Sequence, residues 1–283
     1  MKRLPSWLSK KLPPESATHT THEIVERYGL HTVCAAAQCP NLGECFSARV
    51  ATFLILGEIC TRGCRFCAVE KGKPYPPDSD EPARVVAAAR ELGLRHVVIT
   101  SVTRDDLPDG GAEQFVKVIN RFQQENPLTT VEVLTPDFNG KRAAVECVTR
   151  ARPQVFAHNL ETIPRLYSWV RPQADYNRSL KVLAWAKQGD NSLITKSGLM
   201  VGLGETPAEV KNVLRDLRAV GCDVVTIGQY LRPSPHQIPV VEYVNPARFM
   251  EYEALGYELG FKKVMTGPFV RSSYQADACL VSV

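Results

Sequence analysis

The chain has 283 residues, of which 44% are hydrophobic and 23% are charged. This composition predicts one large folded domain or two small ones, and it excludes a disordered or collagen-like chain. The formal net charge is +4, and the 34 basic and 30 acidic residues form no long block of one sign, so no nucleic-acid partner is indicated. No apolar run approaches the roughly 20 residues that cross a bilayer, so we expect no membrane partner.

The first fourteen residues, MKRLPSWLSKKLPP, are basic and contain no acidic residue, as in many targeting peptides. Pro5, Pro13 and Pro14 interrupt an amphipathic helix, and no apolar segment follows them. We therefore predict an extended arm and a cytoplasmic location. A presequence that is removed after import is the alternative.

Six of the nine cysteines lie between positions 34 and 67. A chain of this length without a secretory signal does not need disulfides, so the clustering indicates metal ligation. The spacings are C-x4-C-x5-C and C-x3-C-x2-C, and we call the two groups the N-terminal triad (Cys34, Cys39 and Cys45) and the loop triad (Cys60, Cys64 and Cys67). Three thiolates suit a [4Fe–4S] cluster with one iron left open, whereas zinc usually takes four protein ligands. A zinc knuckle or free thiols are the alternatives.

Helices and strands are predicted to alternate after an apolar strand over 53–57. The further predicted strands are 95–100, 130–134, 154–156, 193–201 and 223–227, and the predicted helices are 81–93, 112–125, 142–149, 177–187 and 207–220. Six βα units predict a parallel α/β sheet that curls but has too few strands to close an eight-stranded barrel. We predict an incomplete (β/α)6 TIM-like barrel over 51–245, with extensions 1–50 and 246–283 packed over its open side.

Polar residues follow the predicted strands, at the edge where a parallel barrel carries its functional loops. The segments are 100–106, 135–137, 158–161, 202–205 and 228–230. We expect them to meet around the loop triad. The alternative is that these residues are polar only because turns usually are.

The loop triad follows an apolar strand and has an aromatic residue, Phe66, directly before its last cysteine. In these features it resembles the radical S-adenosylmethionine (SAM) enzymes. The resemblance implies that the open iron chelates the amino and carboxylate groups of SAM. It also implies that one electron from the cluster cleaves SAM to methionine and a 5′-deoxyadenosyl radical.

Longer stretches resemble the lipoyl synthase family: TSVTRDDLPDGGA, HNLET, TKSGLMVGLGET, TIGQYLRPSPHQIPV and GPFVRSSYQA. The resemblance implies a sulfurtransferase that inserts sulfur at carbons 6 and 8 of a protein-bound octanoyl-lysine to give the lipoyl group. It implies two [4Fe–4S] clusters. The cluster on the loop triad generates the radical, and the auxiliary cluster, on the N-terminal triad, donates its own sulfide.

The RSSY motif at 271–274 resembles the family motif whose serine is the fourth ligand of the auxiliary cluster, and we assign this role to Ser273. A hard alkoxide on iron is a weaker match than thiolate and suits a ligand that leaves. Gln275 stands where the family usually has a histidine, which puts in doubt any proton transfer by that histidine. The other three cysteines are interpreted as bystanders, with a substitute-ligand role for the last as the alternative: Cys147, Cys222 and Cys279.

The resemblance and the strand-end positions together predict the residues that contact SAM: Phe66, Ala68, Thr100, Asn159, Glu161, Lys196 and Leu231. Asn159 and Glu161 are assigned to the ribose hydroxyls, because a diol needs paired hydrogen-bonding groups. The adenine needs apolar walls, which the aliphatic strand ends offer.

The resemblance implies two partners. One is an octanoylated lipoyl carrier domain, of a glycine cleavage H protein or a 2-oxoacid dehydrogenase E2, and the other is a ferredoxin- or flavodoxin-type electron donor. Within the same chemistry, the alternatives are enzymes that resemble biotin synthase or a tRNA methylthiotransferase, although the chain leaves no length for an RNA-binding domain. A zinc-stabilised binding module without catalysis is the alternative from another class.

Overall fold

The computed structural model describes residues 4–11 and 13–279, with the side chains of all of these except residues 15 and 279. Within these residues, one sheet contains eight strands in chain order. The strands are β1 His31–Thr32, β2 Thr52–Ile55, β3 His96–Ser101, β4 Thr130–Leu134, β5 Val155–Ala157, β6 Ile194–Val201, β7 Val224–Gln229 and β8 Lys263–Gly267. Strands β2 to β8 are parallel to their neighbours, and β1 pairs antiparallel with β2.

The described residues also form ten α-helices and four 3-10 helices. The α-helices are α1 Glu15–Arg27, α2 Val33–Ala36, α3 Leu42–Ser47, α4 Glu81–Glu91, α5 Ala112–Glu125, α6 Arg142–Arg150, α7 Tyr167–Val170, α8 Tyr176–Gly189, α9 Pro207–Ala219 and α10 Pro246–Glu258. The 3-10 helices are Ser6–Leu8, Phe138–Gly140, Pro164–Leu166 and Ala276–Cys279. A helix lies between each successive pair of parallel strands, so the sheet is built from βαβ units.

Local sequence signals account for the ends of these elements, and α9 shows how. Thr206 accepts a hydrogen bond from the backbone N–H of Glu209, and the Glu209 carboxylate accepts one from the backbone N–H of Thr206, which is a capping box. Pro207 occupies the first turn, where its missing N–H is no loss. Gly221, with φ of +80°, ends the helical segment in the left-handed conformation that glycine tolerates.

The predicted fold class is confirmed. Strands β2 to β7 are the six predicted strands, each within two residues of its predicted bounds, and no pairing joins β8 to β1 in the described part of the chain, so the barrel is incomplete. The structure adds β1 and β8 to the predicted set. Strand β8 was not predicted because its sequence, KVMTG, has only one buried residue, Val264, and lacks the alternation that marks a strand.

Segments from both ends of the chain cover the open side of the barrel, as predicted. Asn41 donates a hydrogen bond from Nδ2 to the carbonyl oxygen of Phe269 (2.7 Å), and the Tyr274 hydroxyl donates to Glu44 Oε1 (2.6 Å). The first fourteen residues were predicted to form an extended arm, of which residues 4–11, 13 and 14 are described. Its described residues contain the 3-10 helix Ser6–Leu8, whose Leu8 is buried.

A buried ion pair crosses the sheet from β4 to β6. Lys196 Nζ lies 2.9 and 3.1 Å from the two carboxylate oxygens of Glu132, and both side chains are fully buried. His96 Nε2 lies 3.6 Å from the same carboxylate. Burial tends to raise the pKa of Glu132, but Lys196 and His96 outweigh burial and lower it. The pair satisfies two charges that are costly to bury alone.

We predict that Lys196→Met lowers the free energy of unfolding by about 3–5 kcal/mol, because it leaves the Glu132 carboxylate buried without its ammonium partner. Urea unfolding at neutral pH measures the change. Lys262→Met is the matched control, since Lys262 is partly exposed, lies 3.3 Å from Asp223 and is expected to contribute at most about 1 kcal/mol. Equal losses in the two variants would contradict the role given to the buried pair.

Candidate active site

A cavity of about 800 Å³ lies at the carboxyl ends of the parallel strands. Four of the five predicted strand-end segments contribute to its wall, at residues 100–103, 135–136, 158, 159, 161, 228 and 230. The fifth, 202–205, contributes none of the described lining residues, and Gly198, Leu199 and Met200 of β6 take that place. The convergence of polar loops at one end of the barrel is the arrangement in which such barrels place their chemistry.

The loop triad forms one wall of this cavity, on the loop that follows β2. Cys60 closes the base of the loop through two backbone bonds, accepting from Gly72 (3.0 Å) and donating to Glu70 (2.7 Å). Its sulfur accepts from the backbone N–H of Arg62 (3.4 Å) and of Thr103 (3.3 Å). These bonds tie the loop to the segment after β3, and all three of its thiols line the cavity.

Arg62, between the first two cysteines of the loop, fixes the loop to two neighbouring strand ends. Its guanidinium donates to Asp105 at 2.6 and 2.8 Å, and it lies 2.7 Å from Asp137 Oδ1. Burial acts to raise the pKa of Asp137, but the hydrogen bond and charge of Arg62 outweigh burial and lower it. Asp137 therefore stays ionised and holds the guanidinium in place.

The thiols of both triads are free, and Cys34 is buried whereas the other five are partly buried. Among the eight cysteines whose side chains are described, none is in a disulfide. Burial raises the pKa of Cys45 and of Cys67 to about 12, and it also raises the pKa of Cys34 and of Cys64. A bound metal centre supplies the positive charge that turns such buried thiols into thiolate ligands.

The donor sets fit [4Fe–4S] clusters. Each triad offers three soft sulfur ligands, and a cubane places them on three different irons rather than on one point. No group of three His, Cys, Asp or Glu side chains in the described parts of the chain is arranged to hold a single metal ion. The large cavity lies beside the loop triad, where a fourth ligand has room to bind.

The structure brings Ser273 to the N-terminal triad. A second, small cavity is lined by Ser273 together with Cys34, Cys39 and Cys45, and Arg271 and Tyr274 complete that side of it. Ser273 and the first two of these cysteines also line the large cavity. The two triads therefore border the same space, although Ser273 is more than 200 positions away in sequence.

Six of the seven residues predicted to contact SAM line the large cavity: Phe66, Ala68, Thr100, Asn159, Glu161 and Leu231. Asn159 Nδ2 donates to Glu161 Oε1 (3.0 Å), so the two side chains assigned to the ribose act as a unit. Gly198 makes room for them, because a Cβ there would lie 2.8 Å from Asn159 Oδ1. The seventh, Lys196, is not among the described lining residues, since its ammonium is bound to Glu132.

Three side chains of the site had no role in the sequence interpretation. Arg171 donates to the carbonyl oxygens of Asn159 (2.9 Å) and Leu160 (3.1 Å), and its charge opposes the effect of burial on the pKa of Cys64. Arg271 lies beside both cavities. His158 lines the large cavity. Two of the three fall inside motifs that were singled out, HNLET and RSSY, but nothing in the sequence marks Arg171.

His158 lies in the wall of the large cavity, and its ring is neutral. Its Nδ1 lies 2.9 Å from the carbonyl oxygen of Thr135, which makes Nδ1 the donor, and no described group bonds to the buried Nε2. Burial and Arg171 lower the pKa of His158 to about 4, against the opposing effect of Asp137. The ring is therefore an uncharged hydrogen-bond acceptor at neutral pH.

The low pKa of His158 predicts a pH dependence of stability. An unfolded histidine has a pKa of about 6.5, so between about pH 6.5 and about pH 4 the unfolded chain binds a proton that the folded chain does not. Over this range the free energy of unfolding falls as the pH falls, by about 3 kcal/mol from this residue, and below it the contribution is constant.

His158→Gln is expected to remove that part of the pH dependence, as measured by urea unfolding at a series of pH values. The variant should lose less stability than the parent protein on acidification over the same range. His19→Gln, at an exposed position on α1, is the control for loss of a histidine outside the cavity. Parallel curves for His158→Gln and the parent would contradict the assignment of a neutral ring.

The sequence matches known proteins over nearly its whole length. Residues 54–217 match the radical SAM superfamily. A lipoyl synthase of Caldanaerobacter subterraneus subsp. tengcongensis is 57% identical over 278 residues, which are 98% of this chain and 97% of that protein. A lipoyl synthase of Caldicellulosiruptor saccharolyticus is 55% identical over 273 residues, or 96% of each chain. The chain belongs to the lipoyl synthase family.

Solved structures of lower identity share the fold of this lipoyl synthase family member. HydG, a maturase of the [FeFe]-hydrogenase, has a TM-score of 0.58 at 15% identity, covering 89% of this chain and 65% of its own. Methylornithine synthase (PylB) has a TM-score of 0.55 at 14% identity, covering 94% and 86%. At these identities the likeness shows the fold alone.

Membership of the lipoyl synthase family and the radical SAM superfamily makes the chain an enzyme that uses a [4Fe–4S] cluster and SAM. It sets aside the biotin synthase and methylthiotransferase alternatives and the zinc-stabilised module. In the described residues, no helix has both the length and the apolar character needed to span a bilayer.

Proposed function

We propose that this enzyme inserts two sulfur atoms, at carbons 6 and 8, into an octanoyl group carried on a lysine of a lipoyl carrier domain. The observation that carries the proposal is the position of Ser273. It lies with Cys34, Cys39 and Cys45 around one small cavity, and that cavity adjoins the one bordered by the loop triad. A second cluster at this position suits sulfur insertion, because that reaction needs a sulfur source next to the radical.

The N-terminal triad has a serine beside its three cysteines and the loop triad does not. This difference supports different roles for the two clusters. When bound, the cluster on the loop triad supplies the electron that cleaves SAM to a hydrogen-abstracting radical, and the auxiliary cluster supplies the sulfur. Cys34, Cys39, Cys45 and Ser273 would hold the auxiliary cluster, with Ser273 as the weakest ligand because iron prefers thiolate to alkoxide. Cys60, Cys64 and Cys67 would hold the other and leave one iron free for SAM.

The remaining cavity residues would orient SAM and shield the radical. Asn159 and Glu161 offer hydrogen-bonding groups for the ribose diol. Arg171 fixes the backbone between them by donating to the carbonyl oxygens of Asn159 and Leu160. Leu199 and Leu231 offer apolar walls for the adenine and the octanoyl chain. SAM and the octanoyl chain would displace water from the cavity, which protects a reactive intermediate from side reactions.

The partners follow from this reaction. We propose that the octanoylated lysine is presented by a glycine cleavage H protein or by the E2 component of a 2-oxoacid dehydrogenase. A carrier-borne lysine suits the site, since a long flexible side chain reaches into a cavity that opens at the strand ends. The electron is proposed to come from a ferredoxin- or flavodoxin-type donor.

Two cysteine variants test the proposal. Protein purified without oxygen is expected to hold about eight irons, and Cys34→Ala and Cys60→Ala about four each. Cys34→Ala should abolish formation of the lipoyl product yet keep measurable reductive cleavage of SAM, because the loop triad is intact. Cys60→Ala should abolish both reactions. The measurements are iron content, 5′-deoxyadenosine formation and product mass on an octanoylated lysyl peptide.

Cys222→Ala is the matched control, since Cys222 is fully buried just before β7 in the chain and lines neither cavity. It should keep eight irons and both reactions. Loss of SAM cleavage in Cys34→Ala with retention in Cys60→Ala would reverse the roles assigned to the two triads.

A further inference from the structure

Lys10, Glu44 and Tyr274 form a polar contact between three segments that are far apart in sequence. The Tyr274 hydroxyl donates to Glu44 Oε1 at 2.6 Å, and the Lys10 ammonium forms an ion pair with the same carboxylate. Lys10 comes from the N-terminal arm, Glu44 from α3 and Tyr274 from the segment after β8. We call these three residues the terminal latch.

The terminal latch is adjacent in sequence to two of the ligands proposed for the auxiliary cluster. Glu44 directly precedes Cys45, and Tyr274 directly follows Ser273. A bond between Glu44 and Tyr274 therefore fixes the distance between the backbone that carries Cys45 and the backbone that carries Ser273. Cys45, Ser273 and Tyr274 all line the small cavity.

Further contacts reinforce the terminal latch around Lys10. The ammonium donates to Asn41 Oδ1 (2.7 Å), and Asn41 in turn donates to the carbonyl oxygen of Phe269 (2.7 Å). The same ammonium lies 4.8 Å from the ring centroid of Phe269 and 5.4 Å from that of Tyr274, within the range of cation–π attraction. Lys10 thus contacts both the loop of the N-terminal triad and the C-terminal segment.

On its other side, the C-terminal segment is bound to the SAM-binding wall. Ser272 Oγ accepts a hydrogen bond from Asn159 Nδ2 (3.1 Å). Tyr274 completes a turn by donating its backbone N–H to the carbonyl oxygen of Arg271 (3.1 Å). The two residues that flank Ser273 are therefore both held by hydrogen bonds, Ser272 to Asn159 and Tyr274 to Glu44.

We propose that Lys10, Glu44 and Tyr274 act as positioning residues that hold Ser273 against the N-terminal triad and so set how readily the serine ligand detaches. The inference rests on the proposed function, which makes Ser273 the fourth ligand. Opening the terminal latch frees the C-terminal segment to swing away from the triad. It breaks hydrogen bonds and an ion pair only, so no electron or group is transferred.

Tyr274→Phe tests the inference in the intact enzyme with both clusters. The variant keeps the ring but loses the hydroxyl that binds a charged carboxylate, and such a bond changes an opening equilibrium roughly tenfold or more. We expect the irons of the auxiliary cluster to pass to an iron chelator, without oxygen, about tenfold faster than in the parent protein. The other four irons should leave at the parent rate. Backbone amides of residues 268–279 should also exchange hydrogen faster.

The chain provides a closely matched control at the surface. Tyr28 donates its hydroxyl to Glu91 (3.0 Å), and Arg27 forms an ion pair with the same carboxylate, so this trio repeats the chemistry of the terminal latch away from both cavities. Tyr28→Phe should leave iron release and exchange over 268–279 unchanged. Glu44→Gln is a second variant, which also loses the ion pair with Lys10. Its effect and that of Tyr274→Phe should combine to less than their sum, because both variants weaken the hydrogen bond between residues 44 and 274.

The outcomes separate the two proposals. Eight irons in the parent protein with equal iron release and equal exchange in Tyr274→Phe would overturn the terminal latch and leave the proposed function standing. Four irons in both the parent protein and Cys34→Ala would overturn the proposed function, and the latch with it. Faster release from the auxiliary cluster in Tyr274→Phe but not in Tyr28→Phe supports both.

Discussion

A parallel barrel that stops before closure has two free edges, and covering them is the constraint on which this structure depends. Here the free edges belong to β1 and β8, and an uncovered edge exposes unpaired backbone groups and the apolar interior. The segment that leaves β8 crosses toward α3 and is bound there by Asn41 and Glu44. The same segment brings Ser273 to the N-terminal triad. The contacts that cover the open side of the barrel therefore also assemble the proposed ligand set of the auxiliary cluster.

Burial of charge shapes the site that results. Low-dielectric surroundings disfavour thiolates, and a nearby cation opposes this effect at two of them. Lys10 acts in this way on the pKa of Cys45. Arg171 does so at Cys64, and Arg271 lies beside Cys39 and Glu161, where burial lowers its pKa while both neighbours act to raise it. A cluster ligated by thiolates carries net negative charge, so cations placed in advance reduce the cost of holding it out of water. Arg62 has a different task, because its partners are Asp105 and Asp137 and it fixes the loop rather than the thiols.

Much of the fold was predictable, because the strands and helices are marked by strong local patterns. β4 and α5 were predicted to the residue, with β-branched residues in the strand and an apolar stripe in the helix. Strand β8 was not, since its placement depends on pairing with β7 rather than on its own composition. The cysteine spacing and the motifs indicated the site. The burial of Lys196 against Glu132 could not be predicted. The sequence does not indicate whether a lysine in a strand points toward the large cavity or toward a carboxylate two strands away.

The central claim is that the sulfur of the product comes from the cluster on Cys34, Cys39, Cys45 and Ser273. The most direct measurement is the mass of the product from a single turnover of enzyme whose clusters were rebuilt with heavy-isotope sulfide. SAM, a reductant, unlabelled sulfide in solution and an octanoylated lysyl peptide complete the reaction. The account predicts that both inserted sulfur atoms carry the enzyme's isotope. A product with unlabelled sulfur, formed by enzyme that retains all its labelled clusters, would contradict it.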